Sequence, residues 1–146
     1  KNVKTDDLIK NVISKPYNVR RYYGDPAGFQ AQSFSGMGDA EIFYQRTGHR
    51  VHTIRDKVSR NISSGISHVR GFLNSSSGVR RIHVNKKCTG IIEDFLGYRY
   101  PEWKDGRPLH DDPLKDGRCD HGMDALRYFF VNRFPIKQFK IRKFKA

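Results

Sequence analysis

Apolar side chains recur every three to four residues in five parts of the chain, which is the spacing of one face of an amphipathic helix. The pattern is clearest in the longest part, where Ile62, Ile66 and Val69 fall on one stripe. Thr5 is a suitable N-cap for the first helix, and Gly48 is a suitable C-cap for the second. The predicted helices cover residues 5–14, 39–47, 57–73, 86–96 and 120–130.

Three other stretches predict short strands over residues 19–24, 50–55 and 79–84, and in the second of them Val51 and Ile54 stand among polar residues. The first strand runs into a glycine- and proline-rich turn that leaves Asp25 at its C-terminal end. Residues 97–118 form a long irregular loop, and loops of this length usually carry a function. Strands alternating with amphipathic helices predict an α/β fold without an internal repeat.

The length of 146 residues suits one domain with a real core. No apolar run approaches the roughly 20 residues that span a bilayer, and no signal-like segment starts the chain. We therefore expect a protein that is neither secreted nor bound to a membrane. Cys88 and Cys119 lie far apart without a second pair, so neither a disulfide framework nor a zinc site is expected.

The charge is strongly positive, because 28 Lys and Arg outnumber 15 Asp and Glu to give +13. A surplus of this size predicts a polyanionic partner such as DNA. We divide the chain into a domain over residues 1–132 and a basic tail over residues 133–146 that contains no acid. Phe134, Phe139 and Phe144 in this tail could stack on bases or lie on a partner, or the tail could serve only solubility.

Acidic and imidazole side chains crowd the start of the last predicted helix. Asp120 is a suitable N-cap, His121 follows it, and Asp124 lies one turn later. Carboxylate oxygens are hard ligands, and a helix N-terminus favours their charged form, so the group could hold a divalent cation. Alternatively, Asp120 only caps the helix, His121 faces water, and Asp124 pairs with Arg127 three residues later.

Asp25 and the start of the last helix are distant in sequence but could meet in space. Ligands of open α/β sheets gather at the carboxyl ends of strands, where Asp25 is expected to lie. Two metal ions about 3.5–4 Å apart can activate a water and stabilise the leaving oxygen of a phosphodiester. In a basic protein, such a site indicates a nuclease. Alternatively, Asp25 is an ordinary turn aspartate.

A series of short motifs runs between about residues 19 and 130, which is most of the chain. The motifs are 23–28 (YGDPAG), Lys57, 62–70 (ISSGISHVR), Cys88, Glu93, Tyr98, Tyr100, 112–115 (DPLK) and 120–128 (DHGMDALRY). In this order they resemble the C-terminal nuclease domain of the large terminase subunit of tailed bacteriophages. The last motif is fairly specific, whereas the Gly-Asp-Pro turn alone is weak.

The resemblance implies an RNase H-like mixed sheet flanked by helices. It also implies a Mg2+- or Mn2+-dependent endonuclease that cuts concatemeric viral double-stranded DNA by two-metal-ion hydrolysis. By matching position, Asp25 takes the second acidic ligand of the family, and either Asp120 or His121 takes the third. Asp124 would act through water or only fix the helix.

Four basic residues are candidates for contact with DNA. Lys115 could approach the scissile phosphate, or it could pair with Asp112 or Asp116 in its own loop. The others lie on the polar face of the helix predicted over residues 57–73, where they could follow the DNA backbone or simply be solvated. They are Lys57, Arg60 and Arg70.

The resembled domain opens with a strand that carries a first catalytic Asp, whereas this chain begins at the helix that follows. We therefore expect an N-terminally incomplete sheet and metal site, which can leave the isolated chain inactive. The ATPase domain is also lacking, since no Gly-Lys-Ser/Thr loop occurs. In the intact protein the expected partners are this ATPase domain, the small terminase subunit, the portal and viral DNA, in the host cytoplasm.

Two other functions fit the same residues. One is a non-catalytic module that docks on DNA or on the portal, whose binding would not depend on the acidic residues. The other is a different RNase H-like nuclease, such as a resolvase or transposase core, which would prefer branched DNA or transposon ends.

Overall fold

The computed structural model of the chain describes residues 5–31, 36–54, 60–101, 103–104, 107–108 and 112–136. Within these ranges the chain forms five α-helices and one short 3-10 helix. The 3-10 helix spans Pro26–Phe29. The α-helices are α1 (Thr5–Ile13), α2 (Asp39–Thr47), α3 (Ile62–Leu73), α4 (Thr89–Gly97) and α5 (Asp120–Arg133).

The described strands are short and form two separate pairs. β1 (Tyr22–Tyr23) pairs in parallel with β2 (Val51–His52), with Tyr22 opposite Val51. β3 (Trp103–Lys104) pairs with β4 (Arg107–Pro108) in the antiparallel sense. Parallel strands need a crossover connection, and α2 lies in the segment that joins β1 to β2. The structure is therefore a mixed α/β arrangement, as predicted.

Helix α5 is the element around which the main core forms. It packs against α3, α4 and β1. Met123, Phe130 and Val131 of α5 are buried together with Val69 of α3. Burying each large apolar side chain contributes about 1.5–3 kcal/mol, so the packing of α5 against α3 stabilises the position of α5.

Aromatic rings extend this core to the C-terminal end of α5. Phe72 of α3 lies with its ring centroid 4.9 Å from that of Phe130 and 5.0 Å from that of Phe134. His68 Nε2 lies 2.6 Å from the Phe134 carbonyl oxygen. The start of the predicted basic tail is thus attached to α3, whereas Phe139 and Phe144 lie outside the described residues.

The helix predictions hold, with shifted ends. The helix over residues 39–47 is confirmed, and Gly48 ends it with a φ of 72°. α3 begins at Ile62 because the Asn61 side chain accepts a hydrogen bond from the Ser64 amide at 2.9 Å. α4 begins at Thr89 rather than at residue 86, since Asn85 Oδ1 accepts from the Lys87 amide and forms a turn.

The strand predictions are too long or wrong. Of residues 19–24 only Tyr22–Tyr23 are in a strand, and of residues 50–55 only Val51–His52, with Arg55 outside the described residues. Residues 79–84 form no strand, because no described segment pairs with them. Val79 and Val84 in this stretch are 46% and 40% exposed, so they do not mark a buried face.

None of the helices in the described ranges combines the length and the apolar character needed to cross a membrane.

Candidate functional site

Asp25 lies immediately after β1, in a turn that is built tightly against β2. The Gly24 amide donates a hydrogen bond to the His52 carbonyl oxygen at 3.1 Å. A Cβ on Gly24 would lie 2.8 Å from Val51 Cγ1, so a side chain at this position would displace the strand pair. Asp25 Oδ1 accepts from the Ala27 amide at 2.8 Å and caps the 3-10 helix, while the residue stays exposed.

The turn after β1 and the first half of α5 face each other across a pocket of about 280 Å³. Asp25 lies on one wall, and His121 and Asp124 lie on the other. The structure thus brings together three of the predicted site residues from distant parts of the sequence. The complete lining is Tyr23, Gly24, Asp25, His121, Asp124, Ala125 and Tyr128.

Tyr128 is a pocket residue that the sequence analysis missed. Burial raises the pKa of its hydroxyl, the nearby Arg127 lowers it, and the charge and hydrogen bonding of Asp25 raise it further. The Tyr128 hydroxyl is therefore close to the Asp25 carboxylate. Its position four residues after Asp124 was the available signal, since residues four apart share a helix face.

The prediction that Asp120 is the N-cap of α5 is wrong. It is the first residue of α5, and the cap position belongs to Cys119, which makes no side-chain cap hydrogen bond. The Asp120 side chain points inward instead, with 7% of the residue exposed, and Oδ1 has no hydrogen-bond partner among the described residues. A buried carboxylate oxygen without a partner is costly, so Asp120 needs a further donor or a cation.

Asp124 is engaged by two cations, which agrees with the alternative prediction that it pairs with Arg127. Its Oδ1 accepts hydrogen bonds from Arg127 Nε at 3.2 Å and Nη2 at 2.9 Å. Its Oδ2 lies 3.7 Å from Lys115 Nζ. Asp124 is thereby tied both to Arg127 and to the loop that carries Lys115.

Arg127 is the buried half of this pair, with only 3% of the residue exposed. Burial disfavours its charge, but hydrogen bonds with Asp124 and Tyr128 outweigh burial, and the pKa of the guanidinium is raised. Gly65 of α3 makes room for it, because a Cβ there would lie 2.7 Å from Arg127 Cδ. The position of Asp124 thus depends on the contact between α3 and α5.

The predicted DNA contacts have mixed outcomes. Lys115 pairs with Asp124 rather than with Asp112 or Asp116, and its side chain is 58% exposed. Asp116 accepts from the Arg118 amide at 2.9 Å, and this bond lowers the pKa of the Asp116 carboxyl. Two further candidates, Arg60 and Arg70, are exposed as expected for a phosphate-binding face. The remaining candidate, Lys57, lies outside the described residues.

The pocket supplies only part of a metal-binding set. Asp25 and His121 reach it directly, and the unpartnered Asp120 Oδ1 lies in the same helical turn as His121. In the described part of the chain, no three His, Cys, Asp or Glu side chains are already grouped to hold one ion. A change in the Asp120 rotamer would be needed to bring a third ligand to Asp25 and His121.

A larger groove of about 560 Å³ lies between α2 and β2 and contains none of the predicted site residues. Its aromatic and basic lining includes Phe29, Tyr44 and Arg50, but it has no grouping of acids. No protein family, curated protein or solved structure that was compared with the chain matches it. A function must therefore be inferred from the acidic pocket and the distribution of charge.

Proposed function

We propose that this chain is the nuclease part of a metal-dependent DNA endonuclease that cleaves double-stranded DNA during viral genome packaging. The observation that carries the proposal is the shared pocket of Asp25, which follows β1, and His121, at the start of α5. The parallel β1–α2–β2 unit, with α5 packed on β1, supports an RNase H-like arrangement. The role in packaging is inferred from the resemblance to the terminase nuclease domain.

The residues of the pocket suit a hard divalent cation, Mg2+ or Mn2+. Asp25 and His121 would hold it, and Asp120 would join them because its buried Oδ1 otherwise lacks a partner. Such a cation supplies Lewis-acid stabilisation of the charge that develops on a phosphodiester. A second cation would need the further acid expected from the resembled family.

The other pocket residues position the reacting groups. The Tyr128 hydroxyl lies beside Asp25 and can orient its carboxylate by hydrogen bonding. Asp124 lines the pocket and pairs with Lys115, whose exposed ammonium group can meet a phosphate. The charge of +13 provides affinity for the DNA backbone that does not depend on sequence.

In the intact protein, the partners that follow from this proposal are an ATPase domain, a small terminase subunit and the portal, in addition to viral DNA. Cleavage would take place in the cytoplasm of the host.

A plasmid-nicking assay with Mn2+ tests the proposal directly. We expect the intact protein, which supplies the further acid, to nick supercoiled plasmid, and its Asp25→Ala and Asp120→Ala variants to lose this activity. Asp7→Ala is the matched control, because Asp7 is an exposed acid of α1 outside the pocket. Equal cutting by all four proteins rejects the assignment of the site.

The same proteins separate an enzyme from a docking module. If none of them cuts, while plasmid binding by all of them survives EDTA, the non-catalytic alternative is favoured.

A further inference from the structure

The segment between α3 and α4 is the most densely basic part of the described surface. Between residues 74 and 92 the sequence contains no Asp or Glu. Residues 79–87, named here the basic segment, have an irregular backbone. All of their cationic and imidazole side chains are exposed, namely Arg80, Arg81, His83, Lys86 and Lys87.

The basic segment is held at both ends by hydrogen bonds. At its start, the Val79 amide donates to Ser75 Oγ at 2.9 Å, and the Arg81 amide donates to the Phe72 carbonyl oxygen at 2.8 Å. At its end, the Lys87 amide donates to Asn85 Oδ1 at 2.9 Å. Fixed ends reduce the entropy lost when a partner binds, so the charges are presented on a prepared surface.

Within the described ranges, the cations of the basic segment have no acidic partner. Among the described residues, ion pairs are formed by Arg46 with Asp6 and by Lys115 and Arg127 with Asp124. None of the ion pairs in these ranges involves the basic segment. Cations that are both exposed and unpaired create a strong positive potential, which attracts a polyanion.

The basic segment begins beside the C-terminal end of α5 and leads into α4, whose Ile91 lies against Gly122 near the start of α5. Gly65 of α3 lies against Arg127, and Phe72, one residue before the end of α3, lies against Phe134 beyond the end of α5. α3 and α5 therefore run in the same direction, and the chain enters the basic segment beside the C-terminal end of α5.

We propose that the basic segment binds the phosphate backbone of double-stranded DNA and anchors the duplex on the protein. This inference rests on the proposed function for the identity of the polyanion. The backbone of the segment is irregular and carries no apolar helical face, so a regular anionic surface such as DNA suits it better than a membrane does. Its contacts would be independent of DNA sequence.

Fluorescence anisotropy with a labelled 20-base-pair duplex in EDTA tests the anchor without requiring cleavage. The test variant carries Arg80→Gln, Arg81→Gln, Lys86→Gln and Lys87→Gln. Each lost phosphate contact lowers the slope of log K against log salt by about 0.9, so we expect a decrease of about 3.6. At 0.1 M salt, we expect the variant to bind at least about 100-fold more weakly.

The matched control removes four exposed positive charges from another part of the chain. It carries Lys10→Gln, Lys15→Gln, Arg20→Gln and Arg21→Gln, all at exposed positions. We expect its salt slope to change by less than about one. Far-ultraviolet circular dichroism confirms that both variants fold.

Two results would overturn the anchor. One is an equal loss of affinity in both variants, which would mean that only total charge matters. The other is unchanged duplex binding by the test variant, with or without a loss of binding to phosphatidylserine vesicles. Neither result depends on catalysis, because Asp25→Ala should bind the duplex like the wild type in EDTA even if the nicking assay fails.

Discussion

Asp124 links a buried and an exposed cation at the wall of the pocket. It accepts two hydrogen bonds from the buried Arg127, and it holds the exposed Lys115 from the preceding loop. Arg127 has few other partners, since its Nη1 has no hydrogen bond among the described residues. The pair with Arg127 therefore stabilises the fold, and Asp124 also pairs with Lys115.

We expect Asp124→Asn to destabilise the protein by about 2–3 kcal/mol, because it leaves the buried Arg127 guanidinium without a counter-charge. Urea unfolding followed by circular dichroism measures this difference. Asp7→Asn, at an exposed position, should change the free energy of unfolding by less than about 0.5 kcal/mol. If both variants match the wild type, the ion pair has no structural role.

Single residues were predictable where short-range spacing decides their contacts. The pairing of Asp124 with Arg127 follows from their separation of three residues on a helix, and it was one of two open alternatives. The inward position of Asp120 was not predictable. If Asp120 capped α5, the helix would begin after it, but α5 begins at Asp120 itself, and its side chain then points into the interior. Deciding between these starts requires the tertiary contacts of α5.

At the scale of elements, the close approach of α3 to α5 sets the geometry of the site. Gly65 is buried in α3, and a Cβ there would lie 2.7 Å from Cδ and 2.8 Å from Cγ of Arg127. These atoms belong to the middle of a side chain that is pinned by Asp124, so they cannot move aside easily. Gly71 in the same helix has nothing within 4 Å of the corresponding position.

We expect the two glycines of α3 to respond to alanine in opposite directions. Gly65→Ala should destabilise by about 1–3 kcal/mol through overpacking, even after the gain in helix propensity. Gly71→Ala should stabilise by up to about 1 kcal/mol, because it gains propensity without a clash. Urea unfolding of both variants checks this, and equal shifts of the same sign would mean that α3 and α5 do not approach closely at Gly65.

Helices were easier to predict than strands for a physical reason. A helix satisfies its backbone hydrogen bonds within one segment, so the apolar spacing and the Gly48 cap suffice to locate α2. A strand needs a neighbour, and alternation does not supply one. Residues 79–84 have no pairing segment among the described residues, so they form part of the exposed basic segment instead.

At the scale of the whole molecule, two features of the sequence predicted the arrangement. Alternating strand and helix patterns predicted the α/β class that the structure shows. The placement of Asp25 after a strand and of His121 at a helix start predicted that they would share a pocket, which they do. The partnership of Tyr128 with Asp25 and the support of Arg127 by Gly65 depend on packing between distant segments, which no local pattern records.

We infer that the turn after β1 and the start of α5 hold one divalent cation between them. Electron paramagnetic resonance counts free Mn2+ directly, so a titration of the protein with Mn2+ measures binding without requiring catalysis. We predict that the wild-type chain and Asp7→Asn bind Mn2+ equally, and that Asp25→Asn binds it at least about tenfold more weakly. Equal Mn2+ binding by Asp25→Asn and the wild type would contradict the claim.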